Sequence, residues 1–515
     1  MSSEILGYWS AAQAQFARKD WGAARNSLQL LLSRQPDHAA ALMLLSYVES
    51  YLGHYRAARD CALGVHALKP TSSRLVMELI SRLRTFNESE AILQWIDELP
   101  PLDQVTIPVL LTIAAQLSYL NQQERAIQFL DEAHRGDPDY PPTLLARAQV
   151  LIYMGRFDQA NADLQRCLRL APNLPATYWH LSRMPRSVDT GDHVDTLRRL
   201  IDMPSRDPEH VALAGFALHN ELDRRGDAAA AWQALERACK AKRALVRYDT
   251  ADTRALVDDL LAMPLGTTAP VVEGERVPIF IVGMHRSGTT LLEQLVDGHD
   301  LVMGVGELYD FTTQMRFATD HNCRGVIDRT IVERASSVDF VAVGRGYLGK
   351  MEWRLGAEPC FTDKLPSNFL NIGFIAQALP QAKILHMVRD PVETCFSNLR
   401  ELFSDANAYS YDQMELAAYH RQYRRLMAHW HERLPGRILD VEYGELIRDP
   451  ETVMRRVAGF CGLDYQPEML AIESRSRGVA TASAIQVRQG IVAREKPKWA
   501  PYEEYLQPLI QALQE

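Results

Sequence analysis

Cysteine is scarce in this sequence. Seven residues, Cys61, Cys167, Cys239, Cys323, Cys360, Cys395 and Cys461, are scattered over 515 positions. Their number is odd, their spacings are long and no C-x-x-C pair occurs. That excludes a disulfide framework and a cysteine-built zinc site, and it points to a reducing compartment, with a cytoplasmic location expected. Long apolar runs are missing too. No stretch approaches 18 consecutive apolar residues, so no membrane-spanning helix is expected. The first 21 residues turn polar too early for a signal peptide. A basic excess is also absent. Fifty-six Lys and Arg stand against 65 Asp and Glu, a formal net charge of −9, which excludes nucleic acid or an anionic membrane as a partner of the whole surface. Hydrophobic residues are not scarce. At 47% they can fill sizeable cores, and the length implies more than one domain.

The first half is periodic. Prolines recur at Pro36, Pro70, Pro138 and Pro172, with gaps of 34, 68 and 34 residues. Alanines at Ala24, Ala58, Ala91, Ala126 and Ala160 keep gaps of 34, 33, 35 and 34. Gly53 with Tyr55 and Ala58, and Gly155 with Phe157 and Ala160, repeat one local pattern. Between these marks the apolar spacing is helical, as in Ala41, Leu44, Leu45 and Val48. A small residue lets two helices approach closely, and a proline ends the second helix of each unit. This pattern resembles the tetratricopeptide repeat (TPR), a helix–turn–helix unit of 34 residues, over about residues 5–240. The resemblance implies a superhelix with a groove for a peptide or protein. A spacer or dimerisation arm is the alternative.

The pattern changes after residue 245. Leu261 to Pro278 holds three prolines and two glycines without helical period, and residues 246–277 read as a linker. Beyond it, continuous apolar runs such as Ile279–Val282 and Lys383–Val388 alternate with helical stretches. Runs of this kind predict strands buried on both faces, hence a parallel sheet flanked by helices over residues 278–515. The first run enters Gly283-Met284-His285-Arg286-Ser287-Gly288-Thr289-Thr290, and Leu291, Leu292, Leu295 and Val296 give the next helix an apolar face. The spacing is that of a phosphate-binding loop, G-x-x-x-x-G-K-[ST], but Thr289 stands where the lysine should be. Backbone N–H groups can still wrap a phosphate at the helix start. The loss of the lysine disfavours an NTPase or kinase.

The string Arg286-Ser287-Gly288-Thr289-Thr290 resembles the loop with which sulfotransferases bind the 5′-phosphosulfate of 3′-phosphoadenosine 5′-phosphosulfate (PAPS). The family's 3′-phosphate element, a strand ending in Arg with a Ser eight residues on, matches Arg389 and Ser397. Within the superfamily the sequence is most similar to tyrosylprotein sulfotransferases. Their catalytic glutamate, 21 residues past the loop Arg, corresponds to Glu307, and their lysine to Lys364. Their nucleotide-contacting tyrosine, serine and lysine correspond to Tyr443, Ser483 and Lys498. The sequence departs from the pattern at Glu401, where an Arg is expected, and at Gln489-Gly490, where Lys-Pro is expected.

The expected architecture is therefore α + α/β. A TPR α-superhelix over 1–245 precedes a P-loop-like sulfotransferase domain with a central parallel sheet over 278–515. The resemblance implies PAPS as co-substrate without a metal. Glu307 is then the general base, and Arg286 and Lys364 stabilise charge on the leaving oxygen. The expected acceptor is a peptide or protein hydroxyl, with tyrosine as one form, and a homodimer is allowed. The alternative is a TPR scaffold with a non-catalytic nucleotide-binding domain. Among the histidines, His420, His429 and His431 lack an acidic partner at ligand spacing and read as solvated or core residues, while His285 could face the donor. The pairs Asp163/Arg166 and Glu236/Lys240 read as surface charges. A chain beginning near Thr250 is expected to keep donor binding if the C-terminal domain folds alone, and to lose rate on a protein acceptor while keeping it on a small one.

Overall fold

The computed structural model describes residues 3–203, 207–266, 268–270, 274, 276–472, 485, 490–491 and 496–514. The chain divides into two compact units. Met1–Gly136 with Tyr309–Trp353 forms the first, and Asp137–Leu308 with Arg354–Glu515 forms the second.

In the first unit the 34-residue period becomes antiparallel helix pairs. Trp21–Arg34 packs on Ser3–Ala17, Tyr55–Ala67 on Ala39–Tyr51, and Gln123–Gly136 on Ile107–Tyr119. Ala24, Ala58 and Ala126 are fully buried, as close helix approach requires. On the helix Ser73–Thr85, which follows the second pair, Arg82 is buried between the rings of Tyr47 and Phe86 and donates to the Ser46 carbonyl at 2.9 Å. The segment 309–353 comes from the sulfotransferase-like half of the sequence but folds onto these helices. Its Lys350 Nζ lies 3.0 Å from a Glu88 oxygen, and its Asp320 accepts from the Arg56 N–H at 2.8 Å.

The second unit continues the pairing with Pro141–Met154 against Phe157–Leu170 and Pro208–Arg225 against Ala228–Leu245. Gly215 permits the latter contact, since a Cβ there would fall 2.8 Å from that of Ala238. Asp163 and Arg166 are not a surface pair. Asp163 is buried against Arg147 at 2.7 Å and Arg166 binds Asp139, because neighbouring helices offer partners that spacing along one helix cannot reveal. Residues 246–277 are not all loop. Thr250–Ala262 is a helix, started by Asp249 accepting from the Ala251 N–H, with Val257 and Leu260 buried.

Five strands follow, β1 Val277–Gly283, β2 Val302–Gly304, β3 Cys360–Asp363, β4 Lys383–Val388 and β5 Ile438–Glu442. They pair in the order β2-β3-β1-β4-β5, and every pairing is parallel. Ile279, Phe280, Ile281 and Val282 are fully buried, the expected signature of a central strand covered on both faces. From β1 the chain leaves toward β2, returns through β3 and crosses to β4 on the other side. The carboxyl end of β1 is therefore a switch point, where open α/β sheets bind ligands. All seven cysteines are free thiols. Among the described residues no helix is long and apolar enough to cross a membrane.

Candidate active site

The loop after β1 is shaped by three residues with positive φ, Gly283 at 151°, Arg286 at 67° and Gly288 at 114°. Neither glycine has room for a side chain. A Cβ on Gly283 would meet the Met387 carbonyl at 2.8 Å, and one on Gly288 would meet the Tyr443 ring at 2.6 Å. Ser287 ties the turn by donating its hydroxyl to the Met284 carbonyl at 2.8 Å. The helix Thr289–Val296 starts at once, with its N–H groups at the loop, and is anchored by the buried Leu292, Leu295 and Val296.

The second element comes from β4. Asp390 accepts from the Glu393 N–H at 2.8 Å and Pro391 occupies the first turn, so Arg-Asp-Pro starts the helix Pro391–Leu399. Ser397 lies two turns along it and accepts from Arg286 Nε at 3.3 Å. Arg389 Nη1 donates to the Arg286 carbonyl at 3.1 Å, and its guanidinium lies 4.3 Å from the centre of the Tyr443 ring. The next residue on the helix, Asn398, donates to the His285 carbonyl at 2.7 Å. The four positions Arg286, Arg389, Ser397 and Tyr443 are thus brought together from three separate stretches of sequence.

Glu307 and Lys364 meet each other. Lys364 Nζ, with no exposed side-chain surface, donates to Glu307 Oε1 at 2.6 Å. The backbone helps, since the Lys364 N–H donates to the Gly306 carbonyl at 3.0 Å. Glu293 of the loop helix is buried and accepts from the Gly306 N–H at 2.7 Å, which ties the segment carrying Glu307 to the phosphate loop. Sequence reasoning passed over Glu293. Its signal was a charged residue on a helix otherwise packed with leucine. His285 senses Glu307, Lys364 and Arg286 together. Burial first, then the Lys364 and Arg286 charges, bring its pKa down to about 4, against an opposing pull from Glu307. Its Nδ1 lies 3.3 Å from the Tyr409 hydroxyl.

A cleft of about 1020 Å³ opens beside the loop, lined by Arg286, Arg389, Ser397, Tyr443 and Lys498. Glu307 and Lys364 do not line it. Ser483 lies outside the described residues. Two features of the cleft were not read from the sequence. First, the helical half contributes to it. Trp179 and Arg183, at the end of the helix Pro175–Ser182, form part of its wall. Second, the departure at Glu401 has a structural role. Its buried carboxylate lies 3.3 Å from Arg183 and 3.7 Å from Arg286, while Arg400 turns to Asp223 at 2.8 Å. Burial lowers the Arg286 pKa and Glu401 opposes that shift. An arginine so placed stays protonated near neutrality.

His431 is not a solvated residue without a partner. Its Nε2 lies 2.8 Å from Asp440 Oδ1, a contact across a helix-to-strand connection that no periodic spacing predicts.

Residues 278–467 match the model of the sulfotransferase family. An uncharacterized Aquifex aeolicus protein is 30% identical over 338 residues, 63% of this chain, and the chain spans 44% of that protein's length. A Caenorhabditis briggsae protein, provisionally described as a protein-tyrosine sulfotransferase, is 29% identical over 196 residues, 37% of this chain and 68% of that protein. Among solved structures, the sulfotransferase domain of the Synechococcus PCC 7002 olefin synthase aligns at 18% identity and a TM-score of 0.30, covering 47% of this chain and 98% of that domain. The MamA protein aligns at 15% identity and a TM-score of 0.28, covering 34% and 94%. Residues 278–467 of this chain are thus similar to the sulfotransferase family, and the part before them is an array of paired helices.

Proposed function

We propose that this protein transfers a sulfuryl group from PAPS to an acceptor hydroxyl. One observation carries the reading. A glycine-shaped loop at the switch point of a parallel sheet shares a cleft with Arg286, Arg389 and Lys498, while the Glu307–Lys364 pair stands on the segments that follow β2 and β3. The donor set suits a polyanion with two separate phosphate ends. Thr289 in place of lysine disfavours a triphosphate. Arg286 to Thr290 would hold the 5′-phosphosulfate. Arg389 and Ser397 would hold the 3′-phosphate, with Tyr443, Ser483 and Lys498 completing the nucleotide site. PAPS supplies the sulfuryl group and leaves as adenosine 3′,5′-bisphosphate.

In this scheme Glu307 accepts the acceptor's proton as the oxygen–sulfur bond forms, on the carboxylate oxygen opposite the one held by Lys364. Arg286 and Lys364 offset the negative charge on the departing oxygen. The acceptor class follows from the helical array, whose groove would present a peptide or protein hydroxyl, tyrosine included. The free thiols favour a reducing, cytoplasmic setting. Two measurements test this. Adenosine 3′,5′-bisphosphate should raise the thermal midpoint while ATP with magnesium should not. Labelled sulfate should pass from PAPS to a tyrosine peptide or a small phenol. Stabilisation by ATP alone, or no transfer to any hydroxyl, would overturn the proposal.

A further inference from the structure

A second cluster of chemistry-bearing side chains, none of them among the residues that line the cleft, lies on β4, β5 and the helix between them. In the parallel pairing of β4 and β5, His386 stands opposite Asp440, so both side chains project from one face. His431 reaches the same point from the last turn of the helix Gln413–Arg433. His386 Nδ1 lies 2.7 Å and His431 Nε2 2.8 Å from the same oxygen, Asp440 Oδ1. The potential ligand atoms of the three residues all lie within 4.8 Å of one another. We propose that His386, His431 and Asp440 form a binding site for a divalent transition metal of the zinc class.

Three arguments support it. The first is geometric. Zinc bonds of ~2.0–2.2 Å at tetrahedral angles put ligand atoms roughly 3.3–3.5 Å apart; the two imidazole nitrogens lie 2.7 and 2.8 Å from the shared oxygen, and no separation exceeds 4.8 Å. Binding therefore needs only small side-chain shifts. The second is chemical. Two imidazoles and one carboxylate favour zinc, cobalt or nickel over magnesium or calcium. The third is the support behind the ligands. His386 is buried, and its other ring nitrogen, Nε2, is hydrogen-bonded by the Tyr423 hydroxyl. A partner on the distal nitrogen is the feature that fixes ring orientation in metal-ligating histidines. Asp440 and His431 are partly exposed, at 46% and 36% of their side chains, which gives the ion a path in and room for a water. None of the three residues has a part in the proposed sulfuryl transfer.

The test uses the full chain, stripped with chelator and titrated with zinc chloride by calorimetry and with cobalt chloride by visible absorption. One equivalent should bind, and cobalt should give the intense bands of a tetrahedral site. His431→Ala and Asp440→Asn alter partly exposed positions and should each weaken binding by roughly tenfold or more, while His429→Ala on the same helix should change nothing. Failure of zinc to bind, or binding unchanged in both variants, would overturn the assignment and place any bound metal on other histidines.

Discussion

The decisive perturbation for the proposed chemistry is Glu307→Gln. Alanine would be the wrong choice. Lys364 is wholly buried, and removing its partner outright would leave an uncompensated charge at a cost of about 3–5 kcal/mol. Glutamine keeps the shape and keeps an oxygen for Lys364 Nζ. What is lost is the difference between a charged and a neutral acceptor. A charge-assisted bond contributes about 1.5–3 kcal/mol and a neutral one about 0.5–1.5. Glu307 is 36% exposed, so solvent screening reduces the difference to about 1 kcal/mol. That corresponds to a fall of ~2–4 °C in thermal midpoint. The catalytic effect should be much larger. Loss of a general base typically costs ~10²–10⁴ in rate, or about 3–5.5 kcal/mol of barrier. The assay is turnover of PAPS against a saturating phenolic acceptor, with affinity for adenosine 3′,5′-bisphosphate measured in parallel. The variant should be slow, folded and nearly normal in nucleotide affinity. Near-normal turnover, or a loss that lies wholly in donor binding, would refute the role given to Glu307.

Four further outcomes are expected. Arg389→Ala should weaken adenosine 3′,5′-bisphosphate by roughly 10- to 150-fold and leave adenosine 5′-phosphosulfate nearly unchanged; equal losses would mean that Arg389 matters through the Arg286 carbonyl it holds. Gly288→Ala should abolish measurable nucleotide binding by calorimetry, since its Cβ would lie 2.6 Å from the Tyr443 ring on a backbone with φ at 114°, and normal affinity would contradict the packing. Burial lowers His180, His285 and His420 to about 4 and His219 to about 3, below the unfolded value of 6.5, so the unfolded chain takes up protons first. Stability from these groups should be level above pH 6.5 and fall as pH drops toward 4, and a thermal midpoint constant down to pH 4.5 would count against it. A chain beginning at Thr250, contrary to the sequence-based expectation, should be insoluble or fail to bind nucleotide, because it lacks Trp179 and Arg183 of the cleft wall; a soluble fragment with full affinity would show those residues to be dispensable.

Local regularity made much of the fold readable. Buried alanines at a fixed period became helix pairs, and continuous apolar runs became central strands. The glycine-shaped loop after β1 was legible because its turn, its glycines and the following helix are contiguous. Glu307 and Lys364 were singled out only through resemblance, and their pairing could not be read, since 57 residues separate them and nothing local announces it. Charges that choose partners across elements were not legible at all. Glu401 looked like a lost arginine, yet it binds Arg183 from the helical half and Arg286 from the loop. His431 looked solitary because its partners lie on two strands. The segment 309–353 was read as part of the sheet domain, since chain order gives no sign of which helices its Lys350 and Asp320 will meet.

That segment also bears on synthesis. The helices of Met1–Gly136 leave the ribosome first, but the residues that pack on Arg56, Glu88 and Glu90 follow only after 137–308 have been made. At ~5–20 residues per second, the wait is roughly 10–35 s. For that interval the early helices carry an uncovered face, while β1 and β2 have emerged without β3 between them. Neither unit can be completed before the other has begun, so the nascent chain needs that face shielded or kept soluble by its charges until the returning segment arrives.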